Sequence, residues 1–398
     1  TYSAYGELNI PLIGAANENM MARSFDVQLA ARYENPSDFD DALKPKIGFR
    51  WEPTEGLLFR ANYTQGFKAP NLPQMNQGTI IRRIDGVEDP MRAEVTGLPV
   101  DNGETYRRTT RLGNPDLQPQ DSETWLVGAS FSPTWAGDWA SGLTIWLDWW
   151  RIEIEDEISL VDNDTQLEID QLLRESGAGF NPNVIRAALT PADQAAFDAW
   201  NAANPNDQRI AVGEAIDIIG QYQNSDTTEV EGWDGSLAWV MPEGRAGQFT
   251  FRADFTYMTR FERQLDLAPV DNMRRNGFPE WRYTVGLDWD YRGFRTNLTT
   301  RYVSEAYDTS LTCNSTAPCQ SDGEPGIVIG NTKYWQVDDW TVYNLTLSYD
   351  FARLSDKTRG LDASIGVRNL TNEEPPFADE SFGYFTRLHN AYGRVYWA

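Results

Sequence analysis

The 398-residue sequence predicts an all-β chain whose antiparallel strands curve into a membrane-spanning β-barrel. Three observations carry that expectation. Apolar and polar residues alternate with a period of two along segment after segment. Aromatic residues make up 13% of the chain and gather near the ends of those segments. No long apolar run of helical type occurs, so any crossing of a membrane falls to strands, which alternate and never produce one.

The segment Trp281 to Arg292 shows the pattern plainly. Trp281, Tyr283, Val285, Leu287, Trp289 and Tyr291 share one face, while Arg282, Thr284, Gly286, Asp288, Asp290 and Arg292 share the other. A strand sends successive side chains to opposite sides, so this one has a lipid-compatible face and a wet face. The same split recurs at 25–33, 249–257, 343–351 and 361–368. About thirteen strands follow from this period, over 1–12, 23–34, 44–53, 56–67, 121–134, 141–156, 227–241, 247–264, 280–291, 293–307, 335–351, 360–370 and 391–398.

A soluble sandwich also alternates. The membrane barrel is favoured by aromatics at strand ends, as in Phe49/Trp51, Trp146/Trp149/Trp150 and Trp289/Tyr291. Arg, Asp, Asn and Thr also recur on the second face, more polar groups than a dry core could pair. A membrane sheet has to close, because open edges are costly in lipid. The odd strand count and the stop after Trp397-Ala398 therefore point to a larger barrel with further strands.

Charge narrows the partners. The chain carries 59 Asp plus Glu against 34 Lys plus Arg, a formal net charge of −25. A nucleic-acid surface needs clustered cations, so nucleic acid is excluded as a partner. Disorder would need few aromatics, and here they are abundant. The N-terminus shows no basic region followed by an apolar stretch, so the chain is expected to start downstream of an export signal. Cys313 and Cys319 flank a short polar loop sequence and are expected to form a disulfide in an oxidising compartment. No His or further Cys lies near them for a metal pair.

Connections alternate between short ones (52–56, 134–142, 241–247, 290–293, 352–360) and long ones (68–120, 157–226, 303–334). Short periplasmic turns and long outer loops would give that alternation. The longest loop has helical pattern, with Leu167, Ile169, Leu172 and Leu173 near one stripe before Gly177. Asn181-Pro182 and Thr190-Pro191 read as helix starts, a cap followed by a first-turn proline.

Four phrases then stand out in order. They are Gly66-Phe67-Lys68-Ala69-Pro70, the stretch Gly113-Asn114-Pro115-Asp116-Leu117-Gln118-Pro119-Gln120, Trp149-Trp150-Arg151-Ile152, and Val367-Arg368-Asn369-Leu370-Thr371-Asn372 followed by Gly393-Arg394. Together they resemble the barrel of TonB-dependent outer-membrane receptors, with Gln120 where the family has Glu. The resemblance implies the later part of a 22-stranded barrel with a plugged lumen. The N-terminal plug, the segment that binds TonB and the early strands would lie outside this sequence.

The resemblance further implies active uptake of a scarce or bulky ligand, such as a siderophore, cobalamin or oligosaccharide. Its setting would be the Gram-negative outer membrane, among lipid and lipopolysaccharide, with the TonB complex as energy source. A passive porin-like channel and a barrel adhesin are the competing classes. No catalytic set is legible, since the only histidine is His389, near the final strand. Candidate ligand contacts are the loop aromatics Tyr106, Trp200, Tyr222, Tyr307 and Trp335, which could stack on sugars or merely pack the loops. Arg82, Arg83, Arg107, Arg108 and Arg111 could meet an anionic ligand, lipopolysaccharide phosphates or nearby acids. Asp162, Asp164 and Asp226 are candidates for Ca²⁺, without EF-hand spacing.

Overall fold

The computed structural model describes residues 2–19, 22–36, 40–84, 87–93, 95, 98, 107–265, 268–312, 327–329 and 332–398. Its strands, in chain order, are β1 (Tyr2–Ile13), β2 (Ser24–Asn35), β3 (Ala42–Thr54), β4 (Leu57–Lys68), β5 (Ile80–Ile84), β6 (Arg107–Leu112), β7 (Gln120–Phe131), β8 (Leu143–Leu160), β9 (Val184–Arg186) and β10 (Ala215–Val240). Then come β11 (Gln248–Leu265), β12 (Ala268–Asp271), β13 (Trp281–Tyr291), β14 (Phe294–Val303), β15 (Ala306–Thr312), β16 (Ile327–Ile329), β17 (Thr332–Val337), β18 (Trp340–Asp350), β19 (Asp362–Arg368) and β20 (Val395–Trp397). The helices are α1 (Leu72–Asn76), α2 (Asp138–Ser141), α3 (Asn163–Glu175) and α4 (Pro191–Ala203).

Thirteen strands pair in one antiparallel meander, β1-β2-β3-β4-β7-β8-β10-β11-β13-β14-β18-β19-β20. These are the segments that alternation marked. Register carries one apolar row across seven of them, Leu143-Trp239-Phe251-Leu287-Leu298-Leu345-Val367. Protein does not cover this face: Val127 is 50% exposed and Ile365 57%. A contiguous apolar surface of this extent fits lipid contact.

Aromatic pairs border the band on both sides. Toward the short turns stand Trp51 with Phe59 (5.4 Å between ring centres), Phe249 with Trp289 (6.4 Å) and Phe294 with Tyr349 (4.6 Å). Toward the long loops stand Tyr63 with Trp125 (4.4 Å), Tyr257 with Trp281 (4.1 Å) and Tyr283 with Tyr302 (4.6 Å). Trp281 and Trp289 lie eight positions apart on β13, about 26 Å at roughly 3.3 Å per residue, close to the height of a lipid-facing band. Past the upper belt the same face turns ionic. Arg151 pairs with Glu229 (2.7 Å) and Glu153 (3.0 Å), and Arg260 with Glu229 (3.0 Å) and Glu262 (2.6 Å).

The opposite face is polar. Arg60 Nε donates to Asp148 Oδ1 at 2.9 Å from two strands away, reaching over β7. It can do so because Gly128 lies between them: a Cβ there would stand 1.7 Å from Asp148 Oδ1. Gly56, in the β3–β4 turn, has φ +77° and lies so close to Ser132 that a Cβ would be 1.9 Å from its carbonyl oxygen. Both the conformation and the space there demand glycine.

The meander places connections 14–23, 55–56, 132–142, 241–247, 292–293 and 351–361 at one end, and 36–41, 69–119, 161–214, 266–280, 304–339 and 369–394 at the other. The structure thus adds 369–394 to the long connections read from sequence; it lacks any periodic signal. β10 also starts at Ala215, twelve residues before the expected strand, because its first part pairs with loop strands rather than with the wall. Asn181-Pro182 does not start a helix. It leads through a turn into β9: Asn181 Oδ1 accepts from Asn183 N (3.0 Å), its Nδ2 donates back to Gln166, and the chain continues extended.

Candidate functional site

The described residues of two long connections, 69–119 and 161–214, fold into a single head. Thr190 starts α4 with a reciprocal capping box: its Oγ1 accepts from Asp193 N (3.1 Å), and the Asp193 carboxylate accepts from Thr190 N (3.1 Å). Asp162 caps α3 by accepting from Thr165 N at 2.7 Å. β5 and β6 form a hairpin, β6 runs parallel to the upper part of β10, and β9 pairs with β10 on the other side.

Each of the two hydrophobic clusters in the head draws on both connections. One holds Val87, Leu167, Val184, Ala215 and Ile218; the other holds Met91, Val95, Ala196, Phe197 and Val212. Ion pairs cross the same interface. Arg186 makes a two-pronged contact with the buried Asp89 (2.6 and 3.2 Å) and reaches Asp170 Oδ2 with Nε (2.8 Å). Arg174 also holds Asp170 (3.0 Å), and Arg92 joins Asp193 (3.0 Å) to the Val212 carbonyl (2.7 Å). Burial alone would raise the Asp170 carboxyl. Hydrogen bonds from Arg174, Arg186 and the Asn181 N–H outweigh it and hold the group below its ordinary value.

A second assembly joins 304–339 to 369–394. Val303, Ala306, Val337, Trp340, Val342, Ala378, Phe385 and Leu388 form its core. Asp308 ties the two connections by accepting from Asp379 N at 2.6 Å. His389 is buried beside Trp340, 5.4 Å between ring centres, and burial, with the nearby Arg301 charge, pushes its pKa down to about 4.

The candidate ligand residues scatter over this end. On the β5–β6 hairpin, Arg82 faces Thr109 and Arg83 faces Arg108 across the register. Neighbouring positions take opposite faces, so Arg82 and Arg111 share one side and Arg83 and Arg108 the other. Arg108 is engaged, its Nε 3.1 Å from Asp217. Arg82, Arg83 and Arg111 have no ionic partner among the described residues, and Arg82 and Arg83 are exposed. Tyr106 lies outside the described residues, as does the side chain of Arg107.

Three of the aromatic candidates pack loops. Trp200 lies under Arg209 (4.9 Å) and donates to the Asp207 carbonyl (3.0 Å). Tyr307 is buried and stacks with Tyr334 (5.8 Å). Trp335 donates to the Phe377 carbonyl (3.0 Å) and meets that ring edge-on. Tyr222 sits in β10 opposite Leu160, its carbonyl accepting from Asn114 (2.8 Å).

Asp162 is committed to its cap, the Asp226 side chain is outside the described set, and no group of three or more metal-ligating side chains occurs among the described residues. Cys313 and Cys319 lie outside the described residues, so nothing described supports the expected disulfide.

No curated protein matches this sequence. Solved structures do. A mutant form of the ferric enterobactin receptor of Pseudomonas aeruginosa aligns over 99% of this chain and 43% of its own, with TM-score 0.57 and 16% identity. The siderophore receptor PirA of Acinetobacter baumannii aligns over 99% of this chain and 44% of its own, with TM-score 0.58 and 18% identity. At these identities the likeness is one of fold, and the chain spans under half the length of either receptor. The family described as TonB dependent receptor-like, beta-barrel matches residues 1–370. With its lipid-facing band, its two aromatic belts and this match, the chain belongs to the TonB-dependent receptor β-barrel family and has its place in the Gram-negative outer membrane.

Proposed function

We propose that this chain forms part of the wall and outer mouth of an active uptake receptor. The long-loop end faces outward and meets a ligand too scarce or bulky to diffuse in. The TonB complex supplies the energy through a region outside this chain. The observation that carries this reading is the division of labour in the fold: a lipid-facing strand wall with a polar inner face, and folded heads gathered at one end only. Transport, and not catalysis, is the role such a wall serves.

Ligand recognition falls to the β5–β6 hairpin. Arg82, Arg83 and Arg111 present positive charge in a chain of net charge −25, without ionic partners among the described residues. Guanidinium groups left free in this way suit an anionic ligand, a negatively charged siderophore or an acidic oligosaccharide, better than a neutral one. Trp200, Tyr307 and Trp335 serve loop packing in this reading. Uptake of siderophores, cobalamin and oligosaccharides, compared in cells with and without TonB, tests the transport role. Uptake independent of TonB would replace it with a passive channel. For the ligand so found, replacing Arg82 and Arg111 together should weaken binding about tenfold or more, since each charge-assisted bond contributes roughly 1.5–3 kcal/mol. Replacing Arg108, which Asp217 already holds, should change it less.

A further inference from the structure

The head has its own interior, and the way it joins the wall is specific. β10 runs for 26 residues from the head into the meander, and its pairing with β8 slips twice at the junction, between Asn224 and Asp226 and between Asp226 and Thr228. On β8, Asp156, which the register skips between Glu157 and Ile154, takes a left-handed conformation, φ +53°. Bulged, slipped pairing of this kind is where a ladder bends most easily.

Beside the Asn114 bond to the Tyr222 carbonyl, one side chain joins three segments at the junction. Asn224 Oδ1 accepts from Gln118 N (2.9 Å), and its Nδ2 donates to Gln118 O (2.8 Å) and to Asp156 O (2.9 Å). The amide copies a strand's own pairing with Gln118, where connection 69–119 returns to β7, and its second N–H takes the carbonyl of the strained β8 residue. Connection 69–119, β8 and β10 thereby meet at one residue, at the point where the ladder slips. Above the junction, Arg186 with Asp89 and Arg92 with Asp193 bind the two connections to each other. Breaking a buried ion pair costs more than losing a neutral hydrogen bond, so the two connections resist separating from each other.

We propose that connections 69–119 and 161–214 move as one body, and that Asn224 is the positioning residue that sets the angle of this head on the barrel. The inference does not depend on which ligand the head meets. Spin-label distances in the full-length protein, with Cys313 and Cys319 replaced by Ser, test it. One label pair, at Ile81 and Ala199, lies within the head, one on each connection. A second pair, at Ala199 and Glu243, spans from the head to the short-turn end. Asn224→Ala should widen the second distribution about twofold and leave the first unchanged, a hinge response without local unfolding. Asn224→Asp keeps the acceptor for Gln118 N, loses both donated bonds, and should act alike. A first pair that widens with the second would show that the connections are not one body. A second pair that stays narrow in both variants would show that Asn224 does not set the angle. Either result overturns the proposal.

Discussion

The strand wall and the head solve opposite problems with the same chain. In the wall the large apolar side chains point outward and stay exposed, and the polar ones face in. In the head the apolar side chains are enclosed: Phe197, Leu167 and Ile218 are fully buried, and even the charges inside are paired. The wall gains its stability from backbone pairing that lipid makes obligatory, together with lipid contact. The head is built as a water-soluble domain is, by burial and satisfied polar groups. The comparison teaches that exposure of an apolar residue has no single meaning in this molecule, and that a substitution must be judged by the solvent its region faces.

The sharpest way to break the comparison is Arg186→Met. It leaves the carboxylates of Asp89 and Asp170 buried without their shared cation, and the head should lose about 3–5 kcal/mol. Hydrogen exchange should rise across 87–93 and 163–186 together, while the heat-shifted gel mobility of the barrel persists. Loss of the barrel as well would mean the two regions are not separately stabilised. Phe197→Ala removes a fully buried ring and should cost about 3–5 kcal/mol, confined in the same way to the head.

On the wall the signs reverse. Val285, midway between Trp281 and Trp289, should lose about 2–4 kcal/mol as Val285→Arg, whereas the same change at its polar-face neighbour Thr284 should cost far less. Refolding into lipid measures both, and equal costs would mean the faces are assigned the wrong way. Gly128→Ala pushes a methyl group into Asp148 and should cost about 1–3 kcal/mol through strain and loss of the Arg60 pair.

A further effect is one of pH. His389 has a folded pKa lowered to about 4, so the unfolded chain takes up a proton first as pH falls. Its contribution to the second assembly is complete above the unfolded value near 6.5 and is lost as pH drops toward 4. Protection at 385–390, corrected for intrinsic exchange, should fall over that window, and His389→Phe should flatten the profile.

The wall was legible in the sequence because its determinants are local. A period of two survives in every strand, and Trp281 to Tyr291 shows its lipid face without reference to any neighbour. The same alternation restricts the register, since a slip of one residue would put Leu287 or Leu345 on the wrong side. The head was legible only in pieces. Thr190-Pro191 announced α4 because a cap is also local, whereas Asn181-Pro182 looked the same and makes a similar turn, after which the chain pairs with β10 as β9. No pattern joins Asp89 to Arg186 across 97 positions, or Asn224 to Gln118 across 106. The candidate arginines Arg82, Arg83, Arg107, Arg108 and Arg111 carried no order in the sequence; β pairing sorted them onto two faces and gave Arg108 to Asp217. By itself the sequence determined a barrel wall and the solvent it faces, since alternation is written residue by residue. Tertiary structure alone decided that two loops share one core and that Arg108 meets Asp217, because those outcomes depend on pairs of residues that the chain keeps far apart.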